Sequence, residues 1–160
     1  MIVAWDIRST MRDIDSEIVL QKARETSPEA RPRIITDQGS PFKRREFKSF
    51  LAQWQANHVM TSPYYAQSNG KIERFHQALK DHAIRPLTPL DLDDAKRITG
   101  DFIEYYNTTR LHSAIGFIAP KDRLEGRRRA IHKAREKKLD EARKRRKIVR
   151  QKLTLNTSRN

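Results

Sequence analysis

Apolar positions along this chain alternate between two spacings, and the changes of spacing mark its elements. Met1 to Ile7 (MIVAWDI) is apolar and β-branched, which predicts a strand. Ser16 is a candidate cap for a helix through about Glu25, with Ile18, Val19 and Ala23 as its apolar face. Pro28 and Pro32 close that element and lead into Ile34-Ile35-Thr36, a short β-branched strand. From Phe42 to Ala56, the residues Phe47, Phe50, Leu51 and Trp54 recur at i, i+3, i+4 and i+7, the stripe of a single amphipathic helix. His58-Val59-Met60 reads as a second short strand. A loop from Thr61 to Ser68, with Pro63 and two tyrosines, precedes a helix that opens after Asn69-Gly70. Ile72, Phe75, Leu79 and Ala83 fall at helical spacing along it, and Pro86 and Pro89 should break it. Leu92 to Thr108 is the last amphipathic helix, through Ile98, Phe102, Ile103 and Tyr106. Beyond Pro120 the apolar content thins, and Gly126 marks the expected boundary between a body, 1–126, and a tail, 127–160.

Charge sharpens that boundary. The net charge of the 160 residues is +14, and residues 127–160 hold 15 Lys/Arg against 3 Asp/Glu, or +12. The remaining 19 against 17 leave the body at +2, so the basic character belongs to the tail. That tail has no Gly or Pro after Arg127 and is rich in helix formers, which allows a solvated basic helix or a disordered arm. Leu139, Ala142, Val149 and Leu153 form a heptad seam interrupted by Arg146, too weak for a coiled coil. Cations so arranged suit a nucleic-acid backbone and carry no sequence specificity. The absence of cysteine excludes disulfides and thiolate zinc sites and makes a reducing cytoplasm the expectation. No stretch has the length and apolarity of a membrane span, and no signal-peptide hydrophobic region opens the chain.

Two carboxylates stand out by position. Asp37 follows the Ile34 strand and precedes Gln38-Gly39-Ser40, a turn; Glu73 lies in the first turns of the helix after Gly70. Thirty-five residues separate them. A strand end and a helix start can converge on one point, and two such oxygen donors suit Mg²⁺ or Mn²⁺ with a phosphate substrate. Taken singly, each has an ordinary structural reading, Asp37 as a turn residue and Glu73 as an acid at a helix N-terminus.

The runs ITDQGSPF, TSPYYAQSNGKIERFHQALK and FIEYYNTTRLHSAIGFIAP together resemble the DDE transposases of bacterial insertion sequences and the retroviral integrase core. The resemblance covers roughly Ile2 to Gly126. It implies an RNase H-like α/β fold and two-metal phosphoryl transfer on DNA, with Asp37 and Glu73 as catalytic metal ligands and Mg²⁺ or Mn²⁺ as cofactor. The implied partners are double-stranded DNA, as transposon ends and target, and a second copy or an intact transposase. The implied location is the bacterial cytoplasm, at the nucleoid, with no membrane association.

The same resemblance exposes a gap. The family's first catalytic Asp sits on the first strand, some fifty to sixty residues before the second, and only 36 residues precede Asp37. Met1 to Ile7 corresponds to the family's third strand, so the first two strands and the first Asp are expected to be missing. Asp6 lies on the wrong strand to replace it, and Asp13 and Asp15 read as helix-start acids. The expectation is an N-terminally truncated, inactive fragment: helix-dominated, with a residual sheet of two or three strands and marginal stability. The alternative is a non-enzymatic DNA-binding remnant or a regulator of an intact transposase; a third reading is an RNA-bound basic protein.

Further candidates have two readings each. Lys80, seven residues after Glu73, falls two helical turns along the same face; the resemblance implies a DNA contact, and the ordinary reading is a solvated lysine. Lys71 and Arg74 flank Glu73 and could steer phosphates. Tyr64 and Tyr65 could stack on a splayed base or pack against the sheet edge. Asn107, Arg110 and His112 match the family's downstream run, with capping and packing as the expected role of His112. In the tail, Arg127, Arg128, Arg129, Arg143, Lys144, Arg145, Arg146 and Lys147 are the candidate DNA-backbone contacts.

Overall fold

The computed structural model describes residues 1–10, 12, 14–62 and 70–157, with side chains as far as 151. The chain forms two compact units, one of residues 2–104 and one of residues 105–160 together with Met1.

The first unit is built around a parallel pair of short strands. β1 (Arg33–Thr36) pairs with β2 (Asn57–Met60) in the register Arg33↔Asn57 to Thr36↔Met60. A parallel pair needs a crossover, and here it contains α2 (Ser40–Lys43) and α3 (Arg45–Gln53). α1 (Asp15–Thr26) precedes β1. Phe47, Leu51 and Trp54 of the crossover are the buried centre, with Leu20, Ala23, Ile34, Phe42, Phe50 and Ala56 packed around them.

The single helix expected over Phe42 to Ala56 is divided at Arg44, which is extended at φ −67° and ψ 151°. The aromatic residues give the reason. Phe42 and Phe47 meet edge to face with centroids 5.3 Å apart, yet five residues on one α-helix point about 140° apart. The break lets both rings reach one core.

Met1 to Ile7, expected as a strand, has no regular structure, and among the described residues the sheet contains β1 and β2 alone. Strand-forming composition needs a ladder to pair with, and here the local polar groups compete with one. The Asp6 carboxylate accepts the Ile7 N–H at 2.9 Å, taking a donor that a ladder would use. Asp6 also pairs with Arg8 at 3.0 Å and Lys22 at 3.2 Å. Trp5 packs on Gly100, where an added Cβ would stand 3.4 Å from the indole.

α4 (Gly70–Leu79) runs into a wide π turn (Lys80–Ile84) and a last short turn, α5 (Arg85–Leu87). Phe75 and Ala83 are buried, while Ile72, expected on the same stripe, is 55% exposed. Eight residues along a plain α-helix would set Ala83 about 80° from Phe75; the extra residue of a π turn reduces that to about 20°. The π turn also explains Pro86, which was expected to end the helix. A wide turn gives up the hydrogen bond that proline cannot make, so the helix passes it and stops at Thr88, left-handed at φ 42°. α6 (Leu92–Thr108) has the expected bounds. Its start is capped by Asp91, which accepts the Asp94 N–H at 2.8 Å, and by Asp94, which accepts the Leu90 N–H at 3.1 Å. Phe75 meets Phe102 of α6 with ring centroids 6.3 Å apart.

In the second unit, His112 and Ile118 form an isolated antiparallel bridge around a 3₁₀ turn, Ser113–Ile115. α7 (Pro120–Leu124) follows, then Gly126 at φ 73°, then α8 (Arg128–Thr157). At 30 residues, α8 is about 45 Å long. Among the described residues, no helix is long and apolar enough to cross a membrane.

Candidate functional site

Asp37 is the first residue past β1, and its position is fixed from both sides. Its Oδ1 accepts the Gly39 N–H at 2.9 Å, closing a tight turn. A Cβ on residue 39 would stand 2.9 Å from that same oxygen, so any larger residue there would displace the Asp37 carboxylate. Behind it, the buried Thr36 hydroxyl donates to the Asp37 carbonyl at 3.0 Å and lies 2.9 Å from His58 Nε2. A hydroxyl has one proton, so once Asp37 takes it, His58 must donate from Nε2. Burial, and then the charge of Lys48, hold the His58 ring below the ordinary histidine range. Thr36 and His58 escaped the sequence reading because their role depends on the pairing of β1 with β2. A threonine closing a β-branched run just before an aspartate was the available signal.

Glu73 projects from the first turn of α4 and is exposed. Among the described residues its carboxylate has no hydrogen bond or ion pair. Lys71, Arg74 and Lys80 are likewise exposed, and Lys80 opens the π turn. Arg74 Nε donates to the Gly70 carbonyl at 2.8 Å, which leaves the outer nitrogens of its guanidinium for other partners. Tyr64 and Tyr65 lie outside the described residues, as does Asp13. No cluster of three or more His, Cys, Asp or Glu suited to a metal occurs among the described residues.

Asp6 and Asp15 are engaged in structure. Asp6 is partly desolvated, which raises its pKa, but Arg8, Lys22 and the Ile7 N–H outweigh this and hold it below the usual carboxylate range. Asp15, nearly buried at the first position of α1, accepts the Arg12 N–H at 2.7 Å and pairs with Arg8 at 2.8 Å.

His112 sits edge-on to Tyr106 with centroids 4.6 Å apart, and its backbone N–H donates to the Ile118 carbonyl at 3.1 Å. Burial lowers its pKa, opposed by a hydrogen bond with the Tyr106 backbone. That is a packing role at the end of α6, beside Asn107 and Arg110. Of the tail cations, Arg127 pairs with Asp122 at 2.7 Å and with Glu125, and Arg143 pairs with Asp140 at 3.0 Å. Arg128, Arg129, Lys144, Arg145, Arg146 and Lys147 are exposed, with no acidic partner among the described residues.

A family model described as the integrase core domain matches residues 45–120, which takes in Glu73, Lys80 and His112 and begins eight residues after Asp37. The transposase for insertion sequence element IS904 of Lactococcus lactis is 31% identical over 123 residues, covering 76% of this chain and 49% of the relative. The Gag-Pro-Pol polyprotein of squirrel monkey retrovirus is 28% identical over 104 residues, covering 51% of this chain and 6% of the polyprotein. In fold, the chain is similar to a chain in the cryo-EM structure of the simian T-cell lymphotropic virus intasome in complex with PP2A regulatory subunit B56 gamma. The TM-score is 0.60 at 17% identity, over 72% of this chain and 41% of that one. The fold is therefore integrase-like, and this chain spans about half the length of the insertion-sequence transposase that it matches. Residues 45–120 match the integrase core domain, and the chain is similar to an insertion-sequence transposase and to a retroviral Gag-Pro-Pol polyprotein.

Proposed function

We propose that this chain takes part in DNA transposition or integration, with Asp37 and Glu73 as its carboxylates for divalent metal. The observation that carries the reading is their pairing of position and availability. They stand with thirty-five residues between them, at a strand end and a helix start of one compact unit, both exposed and neither in an ion pair among the described residues. The donor set fits Mg²⁺ or Mn²⁺, which favour hard oxygen ligands and retain several waters. Such an ion, when bound, polarises a phosphoryl oxygen and lowers the pKa of water. The chain's own part is to hold the carboxylates and the substrate. Gly39 and the Thr36–His58 pair fix the Asp37 turn; α4 carries Glu73 with Lys71, Arg74 and Lys80 as phosphate contacts. Cations of residues 127–160 hold the DNA backbone without reading its sequence. Double-stranded DNA ends and target DNA are the substrates, and a second copy or an intact transposase is the partner.

Two carboxylates suffice for one loosely held ion, whereas two-metal transfer needs ligands for a pair about 4 Å apart. The 160-residue polypeptide is therefore expected to bind Mn²⁺ without joining DNA ends by itself. Mn²⁺ should broaden the NMR signals of Asp37 and Glu73 at the same low concentration, and Glu73→Gln should weaken both effects. Broadening at one residue alone would overturn the site. Metal-dependent nicking of a plasmid, lost in Glu73→Gln, would show that these two ligands do support chemistry.

The second reading, a DNA-binding protein that regulates an intact transposase by pairing with it, is favoured by the concentration of +12 in residues 127–160. Inhibition of an active transposase by the Glu73→Gln variant, as strong as by the parent, distinguishes it from catalysis.

A further inference from the structure

We infer that the concave surface at the start of α8 is a binding site for one phosphate group. It is a cavity of about 560 Å³ lined by Arg123, Gly126, Arg128, Arg129 and His132. No carboxylate lines it, and local pairing explains why. The two acids of this turn, Asp122 and Glu125, are both taken by Arg127, which is not part of the lining. Arg123, Arg128 and Arg129 are left around one hollow with no acidic partner among the described residues. Like charges gathered in this way repel, and the repulsion turns to attraction only when an anion joins them.

Three features suit the anion to a phosphate. Guanidinium groups offer forked donors that match phosphate oxygens, and three of them can serve several oxygens together. The hollow lies at the N-terminal end of a 30-residue helix, where unpaired amides and the helix dipole favour negative charge. Two of the lining side chains also lie close against the 3₁₀ loop. A Cβ on Gly116, left-handed at φ 85°, would stand 3.2 Å from His132 Nε2 and 3.4 Å from Arg128 Nε. His132 is one turn beyond Arg128 on the same helix face, and its Nε2 is buried with no hydrogen-bond partner among the described residues. The glycine admits both side chains close against the 3₁₀ loop. The residues lie past the matched integrase core, except for the Gly116 backing.

The phosphate could be a phosphodiester of DNA, which rests on the function proposed above, or free phosphate, which does not. Two arms on the full chain separate these sources. In the first, inorganic phosphate is titrated while the side-chain NMR signals of Arg128, Arg129 and His132 are followed. Saturable shifts confined to these residues are expected; equal shifts along Arg143 to Lys147 would overturn the site by showing general screening. In the second, duplex DNA binding is measured against salt for the parent and for Arg123→Gln/Arg128→Gln/Arg129→Gln. Three arginines on one phosphate should lower the slope of log K against log salt by about 1, since each neutralised phosphate contributes about 0.9. A fall near 3 would mean three separate contacts and would overturn the inference. Phosphate saturation with no DNA binding by the parent would keep the site and remove the DNA reading. If the triple variant loses its helicity, the phosphate titration of the parent still decides.

Discussion

Replacing Thr36 by Val tests the arrangement behind Asp37 with almost no change of volume. Thr36 is nearly buried, and its hydroxyl makes two contacts, to the Asp37 carbonyl at 3.0 Å and to His58 Nε2 at 2.9 Å. Each hydrogen bond contributes a net of about 0.5–1.5 kcal/mol, so losing both destabilises by about 1–3 kcal/mol. The valine methyl that replaces the hydroxyl returns up to about 0.8 kcal/mol of apolar burial. The expected loss is therefore about 1–2 kcal/mol, a fall in Tm of about 2–8 °C at this chain length. Thermal unfolding followed by circular dichroism measures it, and amide exchange should quicken at Asp37 and Gly39 ahead of α6. Thr36→Ser keeps the hydroxyl and should recover most of the loss. A valine variant with the parent's Tm and unchanged exchange at Asp37 would refute the idea that the pair holds the turn.

Gly39→Ala should keep the fold, because φ at residue 39 is −54° and the clashing atom is a side-chain oxygen. Mn²⁺ affinity measured by electron paramagnetic resonance should fall severalfold as Asp37 is displaced, and an unchanged affinity would remove Asp37 from the ligand set. The lowered pKa of His58 gives a pH dependence with a definite sign. Between its folded value and the ordinary 6.5, the unfolded chain binds more protons, so stability falls as pH drops through 6.5 and levels off below the folded value. Denaturant midpoints between pH 5 and 7.5 should fall less steeply on the acid side in His58→Gln, and parallel profiles would sink the assignment. Changing Arg143, Lys144, Arg145, Arg146 and Lys147 together to Gln should flatten the salt dependence of DNA binding by about 4 if most of them meet phosphates. A parent-like slope in fluorescence anisotropy would place the contacts elsewhere.

Patterns that depend on neighbours in sequence were the readable ones. α6 could be bounded at Leu92 and Thr108 because its apolar stripe belongs to one continuous run. β1 was legible for the same reason, as a short β-branched run before a turn, and β2 as a short segment after the α3 stripe. Met1 to Ile7 misled because its composition suits a strand while a strand exists only with a partner, and Asp6 satisfies the local backbone instead. The break at Arg44 and the π turn at Lys80–Ile84 were hidden because both answer to packing across the core. At the candidate site, the availability of Glu73 could be inferred from its position on α4. The support of Asp37 by Thr36 and His58 could not, since the partners are 22 residues apart and meet only across the β1–β2 register. The convergence of arginines near His132 had no local signature in a tail where nearly every second residue is basic.

The π turn bears on what length changes this helix can absorb. Its extra residue lies between Phe75 and Ala83, two buried positions that face one core. Losing one residue from Lys80–Ile84 would convert the wide turn into ordinary α-helix and leave those two positions facing the same way, seven residues apart instead of eight. A single-codon deletion there, such as loss of the exposed His82, is thus a frame-preserving change to which the fold should be nearly indifferent. The same deletion in the middle of α6 would turn every later apolar position by about 100° and strip Phe102 and Ile103 from the interior. Helix length in this protein is a loose parameter at one place and a strict one at the other, and the melting temperatures of the two deletion variants would measure the difference.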